Sequence, residues 1–375
     1  MNRFVSAYRE TIVAVLSDRV AMTTMILAVV LYSFFYPSAY TKQVASDFPI
    51  LIVDQDHSPM SRALIRRVDA MNTVHVAGAS ASVLEARRLI ESGKAEGVLV
   101  IADGFQRDIL RGNRGNVAIL GNGAFLSRAS SVLQSVAEAA TAFAREAAAS
   151  QARFAGAPAP PPIMLVQRPL FNTREGYGSA LVPGVAQLIV HQTLLMGILV
   201  MAGTRREQMR RLTFSYQGLA GIAAAFATIG LCSLTYYNGW MPWLQDYPRG
   251  GNPGGMAVAG LLYIAAVVAF ALFLGSFIRT RERPFQLVTI SSLPMFFLAN
   301  LSWPIEATPL PLVWLAKLLP TTPGINALVQ INQMGAGLDE VTPALLNLAL
   351  LTLLYGGLAI WRFRPHVEHL SSPEV

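Results

Sequence analysis

The chain has 375 residues, of which 53% are hydrophobic and only 14% are charged. A soluble domain usually carries about 25% charged residues, so this composition excludes an ordinary soluble fold and indicates a protein housed in a lipid bilayer. The formal net charge of +7 does not require a nucleic-acid partner, because the arginines fall in short segments between apolar stretches.

Residues 1–19 form the first predicted element, an amphipathic helix on the cytoplasmic side of the membrane. Its apolar residues recur at helical spacing: Val5, Tyr8, Ile12, Val15 and Leu16. Such a helix either lies in the membrane interface or offers a surface to a cytoplasmic partner, and the two interpretations are compatible. The segment before the first apolar stretch carries charges of both signs, with Glu10, Asp18 and Arg19, which favours a retained membrane anchor over a cleaved signal peptide.

Six uncharged apolar stretches predict membrane-spanning helices, since a span requires about 20 residues. They are Val20–Tyr36, Ala180–Met201, Gly218–Leu234, Met256–Ile278, Leu287–Trp303 and Ala344–Trp361. The predicted organisation is therefore a first transmembrane helix over 20–36, a five-helix transmembrane region over 178–361 and a tail over 362–375.

The large insert after the first span, residues 37–177, alternates strand and helix patterns. Predicted strands cover Phe48–Asp54, Thr73–Val76, Gly97–Ile101 and Asn116–Leu120. Predicted helices cover Ser58–Arg67, Ser82–Ser92, Gln106–Leu110 and Leu126–Phe154, and a proline-rich linker follows at Ala155–Pro162. The order predicts a small α/β domain with a mostly parallel sheet. The fold class is an α-helical polytopic membrane protein, with six transmembrane helices and an inserted extracytoplasmic α/β domain.

Arginine placement predicts the orientation, because positive charge accumulates in cytoplasmic loops. With the N-terminus inside, the inner segments hold twelve arginines: Arg3, Arg9, Arg19, Arg205, Arg206, Arg210, Arg211, Arg279, Arg281, Arg283, Arg362 and Arg364. The two short outer loops hold only Arg249 and Lys317. Both termini are therefore expected in the cytoplasm.

The segment 304–343 is too long and apolar for a simple loop. Leu310–Leu319 and Ile325–Ile331 are predicted to be short helices that enter the bilayer partway, as a re-entrant segment. Glu306, at its start, is either a capping or interfacial group or a ligand for a transported compound.

No catalytic, metal or nucleotide motif is present, so the chain is predicted not to be an enzyme and to bind no cofactor. It has no Gly-x-x-x-x-Gly-Lys-Ser/Thr loop that would cradle ATP phosphates, and no zinc or nucleophile-elbow signature. Asp54, Asp56 and His57 resemble a metal cluster, but acceptors between a strand and a helix more often cap the helix. His366 and His369, in the tail, are not expected to bind a metal.

The polar residues inside the predicted spans are few, and a polar or ionisable group in the membrane is a functional candidate. His191 and Gln192 in the second span and Asn300 in the fifth are therefore predicted to line a pathway or a gate, together with Glu306. A neutral hydrogen bond between helices is the competing interpretation.

Several segments together resemble the membrane (permease) subunit of an ABC type-two exporter, in the subgroup with a large outer domain after the first span. They are Phe48–Leu64, Glu85–Arg87, Val98–Gly112, Asn172 with Val182–Gly184, Gly203–Gln208, Ser302–Pro309 and Leu319–Pro323. One departure concerns the cytoplasmic turn, where relatives often continue Arg-Glu-x-Glu-x-Gly-Thr and this chain continues Arg206-Glu-Gln-Met-Arg-Arg-Leu212.

The resemblance implies that ATP and Mg²⁺ bind a separate cytoplasmic ABC ATPase subunit, and that a second permease copy or a close paralogue completes the transporter. It implies coupling to the ATPase through Arg205, Arg206 and Glu207; ordinary positive-inside charge is the alternative. A bacterial inner (plasma) membrane is the expected location, and the resemblance leaves open a periplasmic adaptor and an outer-membrane channel.

The cargo is expected to be hydrophobic or amphipathic, because no Asp or Glu lies within the predicted spans to bind an ion. The alternative function is a membrane-anchored receptor or assembly protein that uses the outer domain for binding.

Overall fold

The computed structural model describes residues 2–40, 46–122, 126–154, 177–209, 213–247 and 251–364. The predicted linker Ala155–Pro162, Arg210, Arg211 and both tail histidines lie outside these residues. The chain forms two compact units: a membrane unit of Met1–Thr41 with Pro169–Val375, and an inserted α/β unit of Lys42–Arg168.

The membrane unit begins with α1 (Arg3–Ser17) and α2 (Arg19–Met22), followed by a π-helical turn (Thr23–Leu27) and α3 (Ala28–Ser38). Asp18 separates α1 from α2, and its Oδ1 accepts hydrogen bonds from the backbone N–H groups of Val20 and Ala21, each at 3.0 Å. This N-cap starts a continuous apolar helix, Arg19–Ser38, which is long and apolar enough for the first predicted span.

The inserted α/β unit follows the predicted alternation of strands and helices. In chain order it contains β1 (Phe48–Asp54), α4 (Pro59–Asp69), β2 (Val74–Ala79), α5 (Val83–Glu91), β3 (Gly97–Ile101), α6 (Phe105–Leu110), β4 (Val117–Gly121) and α7 (Leu126–Phe154). The sheet order is β2-β1-β3-β4. Strand β1 pairs in parallel with β2 and β3, whereas β4 is antiparallel to β3, so the predicted mostly parallel sheet is confirmed.

Central strand β1 is buried on both faces, which explains its uninterrupted apolar sequence. Ile50 and Ile52 pack in one cluster with residues of α4 and α7, while Leu51 and Val53 pack in another with Ala86 of α5. Helix α4 starts with a capping box in which Ser58 and Ser61 exchange hydrogen bonds between side chain and backbone.

After the insert, the membrane unit continues with helices and short helical turns. They are α8 (Tyr177–Gln208), α9 (Tyr216–Thr235), a π-helical turn (Tyr236–Trp240), α10 (Met241–Leu244), α11 (Pro253–Gly275), α12 (Arg283–Leu298), a 3₁₀ turn (Ile305–Ala307), α13 (Leu310–Lys317), α14 (Thr321–Met334) and α15 (Thr342–Phe363). Helix α8 is central and contacts α3, α11, α12 and α14, and α11 also packs against α15.

Within the described residues, five helices are long and apolar enough to cross a membrane. Helices α13 and α14, bent by 78° to each other, would make a sixth if they form one broken span. The predicted fifth span, Leu287–Trp303, needs correction, because α12 has 16 residues and ends at Leu298. At 1.5 Å per residue it is about 24 Å long, shorter than a hydrocarbon core of roughly 30 Å.

The apolar residues predicted for helix α1 lie on two sides of it. The helix packs closely on α9: a Cβ built on Gly221 would overlap the Phe4 carbonyl oxygen. Thr11 and Val15 are fully buried, whereas Val5 and Leu16 remain 48% and 56% exposed. Helix α1 therefore has two apolar sides, one against the protein and one open.

Candidate functional site

Arg205 lies near the C-terminal end of α8 and connects that helix to α1. Its Nη2 donates to Oγ1 of the buried Thr11 at 3.2 Å, and its guanidinium lies 5.9 Å from the centroid of the Phe214 ring. The predicted coupling residue therefore has internal partners.

Arg206 ties α8 to the end of α11. Its Nη2 donates to the backbone carbonyl of Ser276 at 3.2 Å. The hydroxyl of the same serine accepts a hydrogen bond from Nε of Arg362 at 3.3 Å, and the Arg362 guanidinium lies 4.6 Å from the Phe277 ring centroid. Two arginines from different helices thus converge on one turn.

Glu207 accepts a hydrogen bond from the backbone N–H of Arg281 at 2.8 Å. The Arg281 side chain extends to Asp18, with Nη2 2.8 Å from Oδ1. Close packing accompanies these contacts, because a Cβ on Gly203 would lie 2.7 Å from the Thr280 carbonyl oxygen.

These contacts define the arginine-rich end of the membrane unit: Asp18, Arg205, Arg206, Glu207, Arg281 and Arg362. Sequence reasoning named three of the six as coupling residues and missed Asp18, although an Asp between two helical segments is a recognisable N-cap. Arg279 and Arg283, on either side of Arg281, have exposed side chains.

His191, on α8, is completely buried. Neither of its ring nitrogens has a hydrogen-bond partner among the described residues, and its ring lies 6.2 Å from that of Phe270 on α11. Gln192, its neighbour, points towards α12, where Nε2 lies 3.3 Å from the Met295 sulfur and Oε1 is buried with no partner in the described residues. These two predicted pathway residues therefore face different helices.

The structure does not bring Asn300 together with His191 and Gln192. Asn300 adopts a left-handed conformation with φ of 63° just after α12, and its Oδ1 accepts a hydrogen bond from the Ile305 backbone at 3.0 Å. Its side chain stabilises a turn. Glu306 lies in the following 3₁₀ turn, and its side chain is outside the described part of the structure.

A cluster of amides, which we call the amide cluster, joins α8, α14 and the π-helical turn after α9. Nε2 of Gln187 donates to Oδ1 of Asn238 at 2.8 Å, and Nδ2 of Asn238 returns a bond to Oε1 of Gln187 at 3.3 Å. Nδ2 of Asn332 also donates to Oδ1 of Asn238 at 3.3 Å. The hydroxyl of buried Tyr263 donates to the Gln187 carbonyl at 2.9 Å.

Sequence reasoning missed the amide cluster because the predicted third span ended at Leu234. The structure continues that helix through the π-helical turn Tyr236–Trp240 to Leu244. A signal was present in this turn, since Tyr236-Tyr-Asn-Gly-Trp240 is rich in the aromatic residues typical of a membrane interface. Trp240 and Trp243 are 63% and 62% exposed.

Among the described residues, no group of three or more His, Cys, Asp or Glu side chains is arranged to hold a metal ion. Asp54 instead accepts hydrogen bonds from the N–H groups of Asp56 and His57, both at 3.1 Å, and so shapes the turn before α4, whose N-cap is Ser58. Burial of Asp56 acts to raise its pKa, but hydrogen bonds from Ser58 and from backbone groups around Gln106 outweigh it and hold the pKa below its ordinary value.

Comparison with known proteins agrees with this architecture. Residues 19–361 match the family described as "ABC-2 family transporter protein". The linearmycin resistance permease protein LnrN of Bacillus subtilis (strain 168) is 23% identical over 316 residues, which cover 78% of this chain and 81% of that protein. The chain, with its several apolar helices around α8, therefore belongs to the ABC-2 family of transporter membrane proteins, which work with an ATP-binding partner subunit.

Proposed function

We propose that the chain is the permease subunit of an ATP-driven exporter that moves a hydrophobic or amphipathic compound out of the cytoplasm or the inner membrane. The observation that carries the cargo class is the chemistry of the buried polar side chains. Those described in the membrane unit are hydroxyls, amides and one imidazole, with no carboxylate or cation. A small ion would need compensating charge there, whereas apolar side chains can shelter an apolar cargo.

A groove of about 360 Å³ between α9, α11 and α15 supports this cargo class. Small and apolar residues line most of it, including Ala220, Ala224, Ala265 and Gly356. The name of the Bacillus relative connects that protein with resistance to a compound, linearmycin. A protective export role for the present chain is consistent with both observations.

The proposed orientation places the arginine-rich end and both termini in the cytoplasm of a bacterium and the inserted α/β unit outside the inner membrane. The support is the arginine distribution along the sequence. A reporter fused after Val375 should then be cytoplasmic, and one inserted near Asn113 should be external. An external Val375 reporter would contradict the orientation.

The ATPase, which carries ATP and Mg²⁺, is proposed to dock on the arginine-rich end of each of two permease copies. Arg206 and Glu207 contact the turn after α11, so they would act by positioning that turn, whereas Arg205 would hold α1 against α8 through Thr11. The exposed Arg279 and Arg283 on that turn would contact the ATPase directly. A periplasmic adaptor and an outer-membrane channel would join only in a bacterium with two membranes.

Docking can be separated from folding with matched variants. The double variant Arg279→Glu and Arg283→Glu should weaken co-purification of the ATPase roughly tenfold, because charge reversal at a docking surface adds repulsion to lost attraction. Its thermal unfolding should stay unchanged, and the Arg→Lys pair should retain the ATPase. If the charge-reversed variant retains as much ATPase as the wild type, Arg279 and Arg283 do not contact the ATPase and serve only to orient the chain in the membrane.

Transport is tested in inverted membrane vesicles that contain the permease and its ATPase. ATP should drive accumulation of a fluorescent apolar dye, and a hydrolysis-deficient ATPase serves as the control. Accumulation of small hydrophilic ions alone would refute the cargo class. Assembly with the ATPase but no ATP-dependent transport of any tested compound would favour the receptor or assembly function.

A further inference from the structure

A second cavity, of about 340 Å³, lies in the membrane unit between α9, α11 and α14. Ligand pockets in proteins usually have volumes of roughly 300–1,000 Å³. Leu231, Leu234 and Met256 contribute apolar walls, and Gly260 brings α11 close to α9. A Cβ on Gly260 would lie 2.7 Å from Cδ2 of Leu234, so a larger residue there would push on the wall of the cavity.

One wall is polar and belongs to the amide cluster. Asn238 and Asn332 both line the cavity. The hydrogen-bonding groups of Asn238 are occupied by Gln187, Asn332 and the Leu234 carbonyl. Asn332 is only 8% exposed, and no described residue donates a hydrogen bond to its Oδ1. Thr235, an exposed residue with a hydroxyl group, belongs to the same lining.

The lining thus offers spare neutral acceptors beside an apolar surface. No charged side chain is among the described residues that line this cavity. A charged group bound there would lose its hydration without gaining a counter-ion, which is costly, whereas a hydroxyl or an amide N–H would find an acceptor.

We propose that this cavity binds the neutral, hydrogen-bond-donating head of an amphipathic compound, a hydroxyl or amide group, while the apolar body lies along Leu231 and Met256. This inference deepens the proposed export function and rests on it. The cavity lies at the end of α9 remote from the arginine-rich end: from Tyr216 to Asn238 the helix rises about 33 Å. The site therefore belongs to a late stage of export, near release.

The test uses the full permease alone, in lipid nanodiscs, with a photoactivatable twelve-carbon alcohol as the probe and the matching hydrocarbon without a hydroxyl as its control. Mass spectrometry should place the alcohol's crosslinks within residues 231–239 and 252–260. Ala257→Trp fills the cavity from its lining and should reduce this labelling about tenfold. Val258→Trp is the matched control, because Val258 is 42% exposed and does not line the cavity.

The hydrogen bond is tested separately. Asn332→Leu should lower alcohol labelling roughly fivefold, as expected for one neutral hydrogen bond, without changing labelling by the hydrocarbon. Asn347→Leu makes the same change on α15, away from the cavity, and should have no effect. If Asn332 serves only to hold α14 against Asn238, the alcohol labelling of a folded Asn332→Leu protein will match that of the wild type, which would overturn the assignment.

Equal labelling by the alcohol and the hydrocarbon, or labelling that Ala257→Trp leaves intact, would also overturn the site. A quaternary ammonium probe that labels as well as the alcohol would refute the neutral head group. Because the assay needs neither ATP nor the ATPase, it is independent of export. If the alcohol does not label the cavity but the complex still transports dye, only the proposed binding site is refuted. If the cavity is labelled but no dye is transported, the result counts against the export function.

Discussion

The two ends of the membrane unit use polar side chains in different ways. At the arginine-rich end, guanidinium and carboxylate groups bind loops and helix termini, as in the contact of Arg281 with Asp18. At the opposite end, the amide cluster joins three helical segments with neutral groups alone. Charged side chains thus make the contacts at one end, and neutral amides make them at the other.

Exposure explains the difference. The side chains of Arg281 and Asp18 are 34% and 13% exposed, so both charges retain part of their hydration. Gln187 is 2% exposed, and a charge at that depth would cost several kcal/mol. The arginine-rich end is therefore suited to meet a water-soluble partner, and the amide end is suited to a neutral compound.

The largest expected effect comes from shape rather than charge. Gly203→Val would place carbon atoms against backbone atoms of Thr280 and Arg281, which cannot rotate away as a side chain can. We expect the free energy of unfolding to fall by about 3 kcal/mol, measured by thermal unfolding in detergent micelles. Gly357→Val is the control, since a Cβ there meets no atom within 4 Å. An equal loss of stability in Gly203→Val and Gly357→Val would contradict the close approach of Gly203 to the backbone of Thr280 and Arg281.

The next largest effect is expected in the amide cluster. Asn238→Leu removes both hydrogen bonds between its side chain and that of Gln187, whose buried amide then lacks a side-chain partner. The expected loss is about 2 kcal/mol, and it should exceed the loss in Asn347→Leu. If both variants unfold at the wild-type temperature, the cluster does not hold the helices together, and the contrast between the two ends fails.

At the arginine-rich end, replacing Asp18 should lower the stability less, and two variants separate the contribution of the N-cap from that of the charge. Asp18→Ala removes both the N-cap of α2 and the contact with Arg281, for an expected loss of about 1.5 kcal/mol. Asp18→Asn keeps a capping acceptor but no charge, so it should lose only roughly 0.5 kcal/mol. Added salt should reduce the difference between wild type and Asp18→Asn. A salt-independent difference would show that the charge contributes little.

The inserted α/β unit was the most predictable part of the chain, because its signals are local. Predicted strands β1 and β3 and helix α7 have the observed bounds, and Ser58 and Ser82, the first residues of two predicted helices, are the N-caps of α4 and α5. Buried strands and capped helices depend on neighbouring residues, which a single sequence displays directly.

In the membrane unit, five of the six predicted spans correspond to long apolar helices, but the ends of these helices were not predictable. Hydropathy does not detect the left-handed turn at Asn300 that ends α12 early, nor the π-helical turn that continues α9 beyond Thr235. The sites depend on pairs far apart in sequence: Arg281 meets Asp18 across 263 positions, and Asn332 meets Asn238 across 94. One sequence carries no local signal of such pairs.

His191 lies outside the contacts of both ends, and its replacement should change the stability in the opposite direction. Its ring nitrogens are buried and have no partner in the described structure, so His191→Leu removes an unsatisfied polar group from a buried position. We expect the free energy of unfolding to rise by about 1 kcal/mol.

The same variant tests a role in gating. If His191 serves a gate, its ring nitrogens are unpaired in one conformation and gain a partner in another, so dye transport by His191→Leu with its ATPase should fall. Gln192→Leu, which also removes a contact with Met295, should stabilise less. Greater stability with full transport would make His191 a core residue without a role in gating, and lower stability would show that its nitrogens are satisfied in the membrane.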